Sequence, residues 1–212
     1  QLNIHGQIIN SRWLTGLSAP RGLCIANDAL YVADSEHVLK VNLQTARVLD
    51  TIQAPEIHSL TDLEVSSEGL IYVTDAASNS IYTIQNDELK LWKSDAALQN
   101  PTGLYLAEDQ MLVTSANGHK LMAIDLKSRQ TKQIADSLQM ARGITKIGQD
   151  LIVGGLAGQL YGVKQSMDFR WPLVDLQAQK DDVADILYVK EYDVLFIPTF
   201  KGNSVLAVSV IQ

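Results

Sequence analysis

The sequence predicts an all-β fold, a five-bladed β-propeller of four-stranded blades. The 212 residues repeat one pattern five times, and each copy is anchored by a Gly or Asp followed by an aliphatic residue. The anchors are 40, 41, 40 and 42 residues apart. A repeat of about 40 to 50 residues that holds four short strands is typical of propeller blades. The anchors are Gly22, Asp62, Gly103, Gly143 and Asp185.

The first and second strands of each blade follow from its anchor. The first strands are predicted at GLCIA, DLEVS, GLYLA, GITKI and DILYV. After a short polar turn, the second strands are predicted at LYVAD, IYVTD, LVTS, LIVGG and LFIPT. Short runs of Val, Ile, Leu and Tyr bounded by Gly, Asn and Asp indicate strands rather than helices.

The third and fourth strands complete the blade. Third strands are predicted at IYTI, LMAI, LYGV and VLAV, and the fourth strand carries Trp92 in the second copy and Trp171 in the fourth. The fifth copy has no fourth strand of its own. We expect segment 7–14, which contains Trp13, to pair with the last blade, because this would remove two free sheet edges. A six-bladed propeller that has lost one blade is the alternative.

Composition narrows the class of protein. No linker rich in Pro, Ser or Gly interrupts the repeat, so residues 1–212 are predicted to form a single domain. The net charge of −7 without a Lys/Arg cluster argues against a nucleic-acid partner. No apolar run reaches the length of about 18 residues that spans a membrane. The lone Cys24 is expected to be a small buried hydrophobe, and both a periplasmic or secreted and a cytoplasmic location stay open.

Two segments carry a family resemblance. PRGLCIANDALYVADSEHVLKV and PTGLYLAEDQMLVTSANGHKLMAI resemble NHL-type propeller repeats, and equally the repeats of the senescence-marker-protein, gluconolactonase and strictosidine-synthase-like group. The resemblance covers nearly the whole chain and implies the propeller fold. It leaves the activity open, since such propellers include lactonases, lyases, synthases and interaction modules.

The resemblance also implies where a metal would lie. In gluconolactonase-like enzymes Glu, Asn and Asp near the start of the first strands hold the catalytic metal at the top of the central channel. A hard cation needs several oxygen ligands, preferably anionic ones. Here these positions hold neither carboxylates nor carboxamides, so no cofactor is expected, with calcium or zinc as the alternative. The residues that precede the anchors are Arg21, Thr61, Thr102, Arg142 and Ala184.

A cluster of polar residues is expected at the channel mouth. By analogy with known propellers, the loop that leads into the first strand and the loop between the second and third strands lie on one face. The favoured interpretation is a ring of structural Arg–Asp pairs. The other is a guanidinium that binds a carboxylate or phosphate, with threonine hydroxyls to orient it. The candidate ligand-binding residues are Arg21, Thr61, Asp62, Thr102, Arg142 and Asp185.

Histidines are expected in loops on the same face. His37 and His119 occupy corresponding loops of blades 1 and 3, and His58 lies in the loop that leads into blade 2. Three such histidines can bind zinc or act as acid and base, and the amidating lyases built on NHL-type repeats use histidines in this way. The chain has no short HxH or HxxxH pair, so solvated loop histidines are the favoured interpretation.

Two further polar patterns have structural interpretations. Asp34 and Asp75 end the second strand in two copies, and Ser115 takes their place in the third. Their recurrence predicts that they cap backbone N–H groups of the following loop. The charged run at 180–182 is predicted to be a solvated loop.

These observations favour a non-catalytic propeller that presents a binding face at the top of its central channel. Its partner is expected to be a protein or a small anionic ligand. The alternative is a gluconolactonase-like, metal-dependent hydrolase of lactones or esters. It agrees with the family resemblance but lacks the ligands at the expected positions.

Overall fold

A computed structural model describes residues 1–164, 169–176 and 182–210. The fold is the predicted all-β one, a five-bladed β-propeller whose described blades are antiparallel sheets in chain order. The chain divides into two compact units, Gln1–Asp95 with blades 1 and 2 and Ala96–Gln212 with blades 3 to 5. Among the described residues, no helix has the length and apolar character needed to cross a bilayer.

The first unit holds two four-stranded sheets. Blade 1 consists of β1 (Pro20–Ala26), β2 (Ala29–Asp34), β3 (His37–Asn42) and β4 (Val48–Gln53). Blade 2 consists of β5 (Leu60–Val65), β6 (Ile71–Asp75), β7 (Ser80–Gln85) and β8 (Glu88–Ser94).

The second unit holds three sheets. Blade 3 consists of β9 (Pro101–Leu106), β10 (Gln110–Ser115), β11 (Lys120–Asp125) and β12 (Thr131–Ala135). Blade 4 consists of β13 (Ala141–Ile147), β14 (Asp150–Gly155), β15 (Gln159–Lys164) and β16 (Phe169–Asp175). Blade 5 consists of β17 (Leu187–Val189), β18 (Val194–Thr199) and β19 (Ser204–Ser209).

Tight polar turns join adjacent strands, and the turn at Asn27–Asp28 lies where the sequence predicts it. Asn27 and Asp28 join β1 to β2, and Asn86 and Asp87 join β7 to β8, all four with φ between 49° and 59°. Two successive residues with positive φ form the hairpin turn that matches the twist of the strands, and Asn and Asp tolerate this conformation well.

Apolar side chains join consecutive blades within each unit. In the first unit one buried cluster contains Cys24 and Tyr31 from blade 1 together with Leu63 from blade 2. In the second unit Leu112 from blade 3 packs in a cluster with Ile144 from blade 4. A further cluster joins blades 4 and 5.

The structure does not contain the predicted strand at segment 7–14. Among the described residues, blade 5 has three strands, and segment 7–14 forms no strand. Its backbone folds back on residues 1–3 instead, since Asn3 and Gln7 share a turn and the amino group of Gln1 donates to the Asn10 carbonyl at 2.6 Å. Trp13 of this segment packs against the apolar side chains of blade 1.

The other two tryptophans make contacts within their own blades. The Trp92 ring meets the Tyr72 ring edge-on, with centroids 5.4 Å apart and planes at 87°. The Trp171 ring lies against Gly162 on the adjacent strand, so that a Cβ at this glycine would overlap it.

Candidate functional site

A β-bulge lies at the same place in the first strand of blades 1 to 4. In blade 1, Pro20 pairs with Asp34 and Leu23 with Val32, so two residues of β1 face one residue of β2. A bulge disrupts the ladder locally and turns a side chain in a new direction. The bulged residues include five of the predicted site residues, and the sequence repeat did not predict the bulges. They are Arg21, Thr61, Asp62, Thr102 and Arg142.

Arg21 is exposed at the bulge of blade 1. Its Nη1 donates to Ser59 Oγ at 3.3 Å. Ser59 is the only hydrogen-bond partner of this guanidinium within the described part of the chain, and no carboxylate there forms an ion pair with it. The predicted structural Arg–Asp pair is therefore not present at Arg21.

Asp62 is buried beside Gly22, its neighbour on blade 1. A Cβ at Gly22 would overlap the Asp62 side chain and lie 2.5 Å from its Cα, so only glycine allows the two first strands to approach this closely. Asp62 Oδ1 accepts the N–H of Leu63 at 2.8 Å.

The second unit repeats this arrangement between blades 4 and 5. Arg142 precedes Gly143, and a Cβ at Gly143 would overlap the Asp185 carboxylate. Asp185 is half-buried, and its Oδ1 accepts the N–H of Ile186 at 2.8 Å. Burial raises the pKa of Asp185 to about 6. Arg142 is half-buried, in contrast to the exposed Arg21.

The two candidate threonines are buried, and their hydroxyls bond other groups of the sheets. Thr61 Oγ1 lies 2.8 Å from Thr74 Oγ1, and both residues are buried. Thr102 Oγ1 donates to the Ala141 carbonyl at 2.7 Å and lies 3.2 Å from Thr114 Oγ1. These bonds join the strands at the bulges, so the prediction that the threonines orient a ligand has no support in this geometry.

The three candidate histidines have separate surroundings. His37 Nε2 lies 3.5 Å from Asp34 Oδ2, and His58 is exposed in the loop before β5. The exposed His119 accepts the Met140 N–H on its Nδ1 at 3.2 Å. Within residues 1–164, 169–176 and 182–210, no three His, Cys, Asp or Glu side chains lie close enough to hold a metal ion. This donor set does not fit calcium or zinc.

Buried carboxylates cap the loops around Arg21 and Ser59. Asp75 accepts the N–H groups of His58 and Ser59 at 2.9 and 3.1 Å, and those of Ala77 and Ser78 at 3.0 and 3.3 Å. The predicted capping role is therefore confirmed. The carboxylate also fixes the preceding loop, which the sequence did not indicate.

Blade 1 and blade 3 carry polar caps at the same position, but the backbone N–H groups that Asp34 accepts belong to the loop before β1 and not, as predicted, to the loop after β2. Asp34 accepts the N–H groups of Ser18 and Ala19, at 2.8 Å from Oδ2 for Ser18 and 2.5 Å from Oδ1 for Ala19. Ser115 donates to the Gln99 carbonyl at 2.9 Å and accepts the Gly118 N–H at 3.0 Å. The second strand thus ends on a cap in three blades.

In blade 5 the capping carboxylate belongs to the loop that precedes the first strand and not to the end of the second strand. Asp182 is fully buried and accepts the N–H groups of Phe200 and Lys201 at 2.6 and 3.1 Å. The prediction of a solvated loop at 180–182 is therefore wrong for Asp182, while residues 180 and 181 lie outside the described residues. Thr199 occupies the usual capping position in this blade, and the repeat pattern does not predict that the cap moves to Asp182.

Solved structures with the same fold share little sequence with this chain. Virginiamycin B lyase from Staphylococcus aureus matches with 12% identity and a TM-score of 0.67, over 92% of this chain and 71% of that one. A chain of the nidogen/laminin complex matches with 19% identity and a TM-score of 0.76, over 90% and 75%. The computationally designed protein Ika8 matches with 11% identity and a TM-score of 0.59, over 90% and 58%.

These likenesses establish the β-propeller fold and nothing finer. No protein-family model matches the sequence, and no curated protein matches it. The NHL-type and gluconolactonase-like resemblance therefore stays a prediction.

Proposed function

We propose that this chain is a non-catalytic binding propeller, and that Arg21 and Ser59 in the first unit bind an acidic group of its ligand or protein partner. The observation that carries the proposal is the exposed Arg21 guanidinium, whose single described partner is a neutral hydroxyl at 3.3 Å. A guanidinium in this state can hold a carboxylate or phosphate with two parallel hydrogen bonds.

The surroundings support a preformed site. Ser59 is held in place because its N–H donates to the buried Asp75 carboxylate at 3.1 Å. Arg21 lies on a bulge whose conformation is fixed by the close approach of Gly22 to Asp62. Groups that are already positioned lose less conformational entropy when a ligand binds.

The fold neighbours supply precedents for binding and for catalysis. One neighbour comes from a protein–protein complex and another is a lyase. The site of this chain favours binding, because no group of three His, Cys, Asp or Glu side chains that could hold a metal ion forms among the described residues. The metal-dependent hydrolase is the second candidate, and no contact among the described residues favours it.

The test is a panel of citrate, glutamate, inorganic phosphate and sugar phosphates, screened by thermal shift, with calorimetry on each compound that binds. Arg21→Ala should weaken binding about tenfold or more, and Arg21→Lys should restore part of it, because lysine keeps the charge but loses the paired donors. Arg47→Ala is the matched control, since Arg47 is exposed at the other end of blade 1.

Two outcomes would contradict the proposal. If Arg21→Ala leaves the affinity for every binding compound unchanged, Arg21 is not the anion contact. If the panel and acidic peptides all fail to bind the wild-type chain, the anionic part of the proposal is wrong. Stoichiometric uptake of calcium or zinc in the same calorimeter would instead favour the hydrolase.

A further inference from the structure

A cavity of about 440 Å³ lies on blade 3 in the second unit, and we call it the blade 3 cavity. Its lining comes from residues 109 and 110 at the start of β10, from residues 123 and 125 on β11, and from residues 130–132 and 134 at β12. Pockets that hold small ligands have volumes of about 300–1,000 Å³. The blade 3 cavity therefore has room for a small molecule.

The strand register brings polar side chains together at this cavity. Gln110 of β10 pairs with Asp125 of β11, and Ala123 of β11 pairs with Lys132 of β12. Residues that pair directly across antiparallel strands lie on one face of the sheet, and so do residues two apart on a strand. Gln130 is drawn into the same row, because the Asp125 N–H donates to its carbonyl at 3.0 Å. Polar groups from three strands thus converge on the blade 3 cavity.

The lining also has an apolar part. Ala123 and Ile134 belong to the buried cluster that joins blades 3 and 4, and both contribute to the cavity wall. The blade 3 cavity therefore offers a small apolar surface beside its polar groups. A ligand that fits it has an apolar side and a polar edge.

Asp125 is held in a fixed position with one oxygen left over. Its Oδ1 accepts the N–H of Lys127 at 3.1 Å, the N–H of Ser128 at 2.6 Å and the hydroxyl of Ser128 at 2.8 Å. The hydrogen bonds from Ser128 lower the pKa of Asp125, so the group is a carboxylate at neutral pH. Its Oδ2 makes no hydrogen bond within the described part of the chain and can accept one from a ligand.

Other polar side chains of the lining have no partner either. Within residues 1–164, 169–176 and 182–210, the side chains of Gln110, Gln130 and Lys132 make neither a hydrogen bond nor an ion pair. In the same ranges the hydroxyl oxygen of Thr131 is buried without a hydrogen-bond partner. Buried polar groups nearly always have a partner, so an unpartnered one marks a place where a water or a ligand group binds.

We propose that the blade 3 cavity binds a neutral mono- or disaccharide. A sugar hydroxyl donates and accepts hydrogen bonds, which matches a lining of carboxylate acceptors, an ammonium donor and carboxamides that do both. The C–H side of the sugar ring can pack against Ala123 and Ile134. The carboxylates of Asp109 and Asp125 oppose an anionic ligand, and Lys132 between them opposes a cation.

Sugar titrations followed by amide NMR test the proposal. We expect at least one of glucose, galactose, N-acetylglucosamine, maltose and cellobiose to shift the amide signals of Ala123, Asp125 and Lys132. Gln130→Ala and Lys132→Ala should each weaken binding of that sugar about threefold or more, the loss expected for one hydrogen bond. Gln133→Ala is the matched control. Gln133 is an exposed residue of β12 next to Lys132, and neighbours on a strand point to opposite faces.

Three outcomes would overturn the proposal. The first is that no sugar of the panel shifts the amide signals of the lining. The second is that glutamate or putrescine shifts them and no sugar does, because the blade 3 cavity would then select for charge. The third is that both lining variants bind the sugar as tightly as the wild type. Both variants replace exposed residues, so far-UV circular dichroism should match the wild type and exclude misfolding as the cause of weaker binding.

Discussion

Asp185 is a carboxylate whose burial opposes its charge. Burial raises its pKa to about 6, although the Ile186 N–H favours the charged form. Its ordinary value is 3.8, so between these two pH values the folded chain keeps a proton that the unfolded chain has released. The resulting stabilisation is complete below about pH 4 and is lost as the pH rises through 6.

Replacing Asp185 by Asn should remove this pH dependence. The free energy of unfolding of the wild type, relative to Asp185→Asn, should fall between pH 4 and 6.5, by at most about 3 kcal/mol for a shift of about two units. Urea titrations at several pH values measure it. Asp125→Asn is the control, because hydrogen bonds from Ser128 lower the pKa of Asp125 and its contribution is lost as the pH falls. If the free energy of unfolding changes with pH in the same way for the wild type and for Asp185→Asn, the raised pKa of Asp185 is contradicted.

Cys24 should be inert in the folded protein. Burial raises its pKa to about 12, and the charges of Glu64 and Asp62 act in the same direction. Because the thiolate is the reactive form, a pKa of about 12 instead of 9.0 lowers the thiolate fraction at pH 8 about a thousandfold, which should slow disulfide exchange strongly in the folded protein. Labelling with an aromatic disulfide reagent, followed by mass spectrometry with and without guanidinium, measures the ratio. Fast labelling of the native protein would show that the core between blades 1 and 2 opens readily.

At the level of single elements, the caps at the ends of the second strands should differ in strength. Asp75 accepts four backbone N–H groups, whereas Ser115 accepts one and donates one. An unpaired buried donor costs about 1–3 kcal/mol, so Asp75→Ala should destabilise the protein by about 3 kcal/mol or more and Ser115→Ala by about 1–2 kcal/mol. Chemical denaturation of both variants checks the order. Equal losses of unfolding free energy in the two variants would mean that water molecules accept the backbone N–H groups that the Asp75 carboxylate accepts in the wild type.

The same elements show what the sequence could and could not predict. Strands, polar turns and capping aspartates follow local rules, so the repeat predicted them from residue types alone. The bulges could not be predicted from residue types, because the register between two strands depends on contacts that both strands make. The pairing of Arg21 with Ser59 was missed for the same reason: Ser59 reaches the guanidinium only because Asp75 holds its loop.

At the level of the whole chain, a repeat predicts that equivalent residues have equivalent neighbours. This holds for Leu63, Ile144 and Ile186 and fails for Leu23, because blade 1 has no preceding blade in its own unit. The N-terminal segment illustrates the same limit. Segment 7–14 is predicted as a strand because it carries Trp13 and would close the last blade. In the structure the side chains of Asn3 and Asn10 accept nearby backbone N–H groups instead, and Trp13 packs on blade 1.

The two leucines at one repeat position give a test of this difference. Leu63→Ala removes a fully buried side chain and should cost about 2–5 kcal/mol of unfolding free energy. Leu23→Ala should change the free energy of unfolding by less than about 0.5 kcal/mol, since substitutions at exposed sites cost little. A large loss for Leu23→Ala would mean that Leu23 is buried in solution, like its counterparts in the other blades.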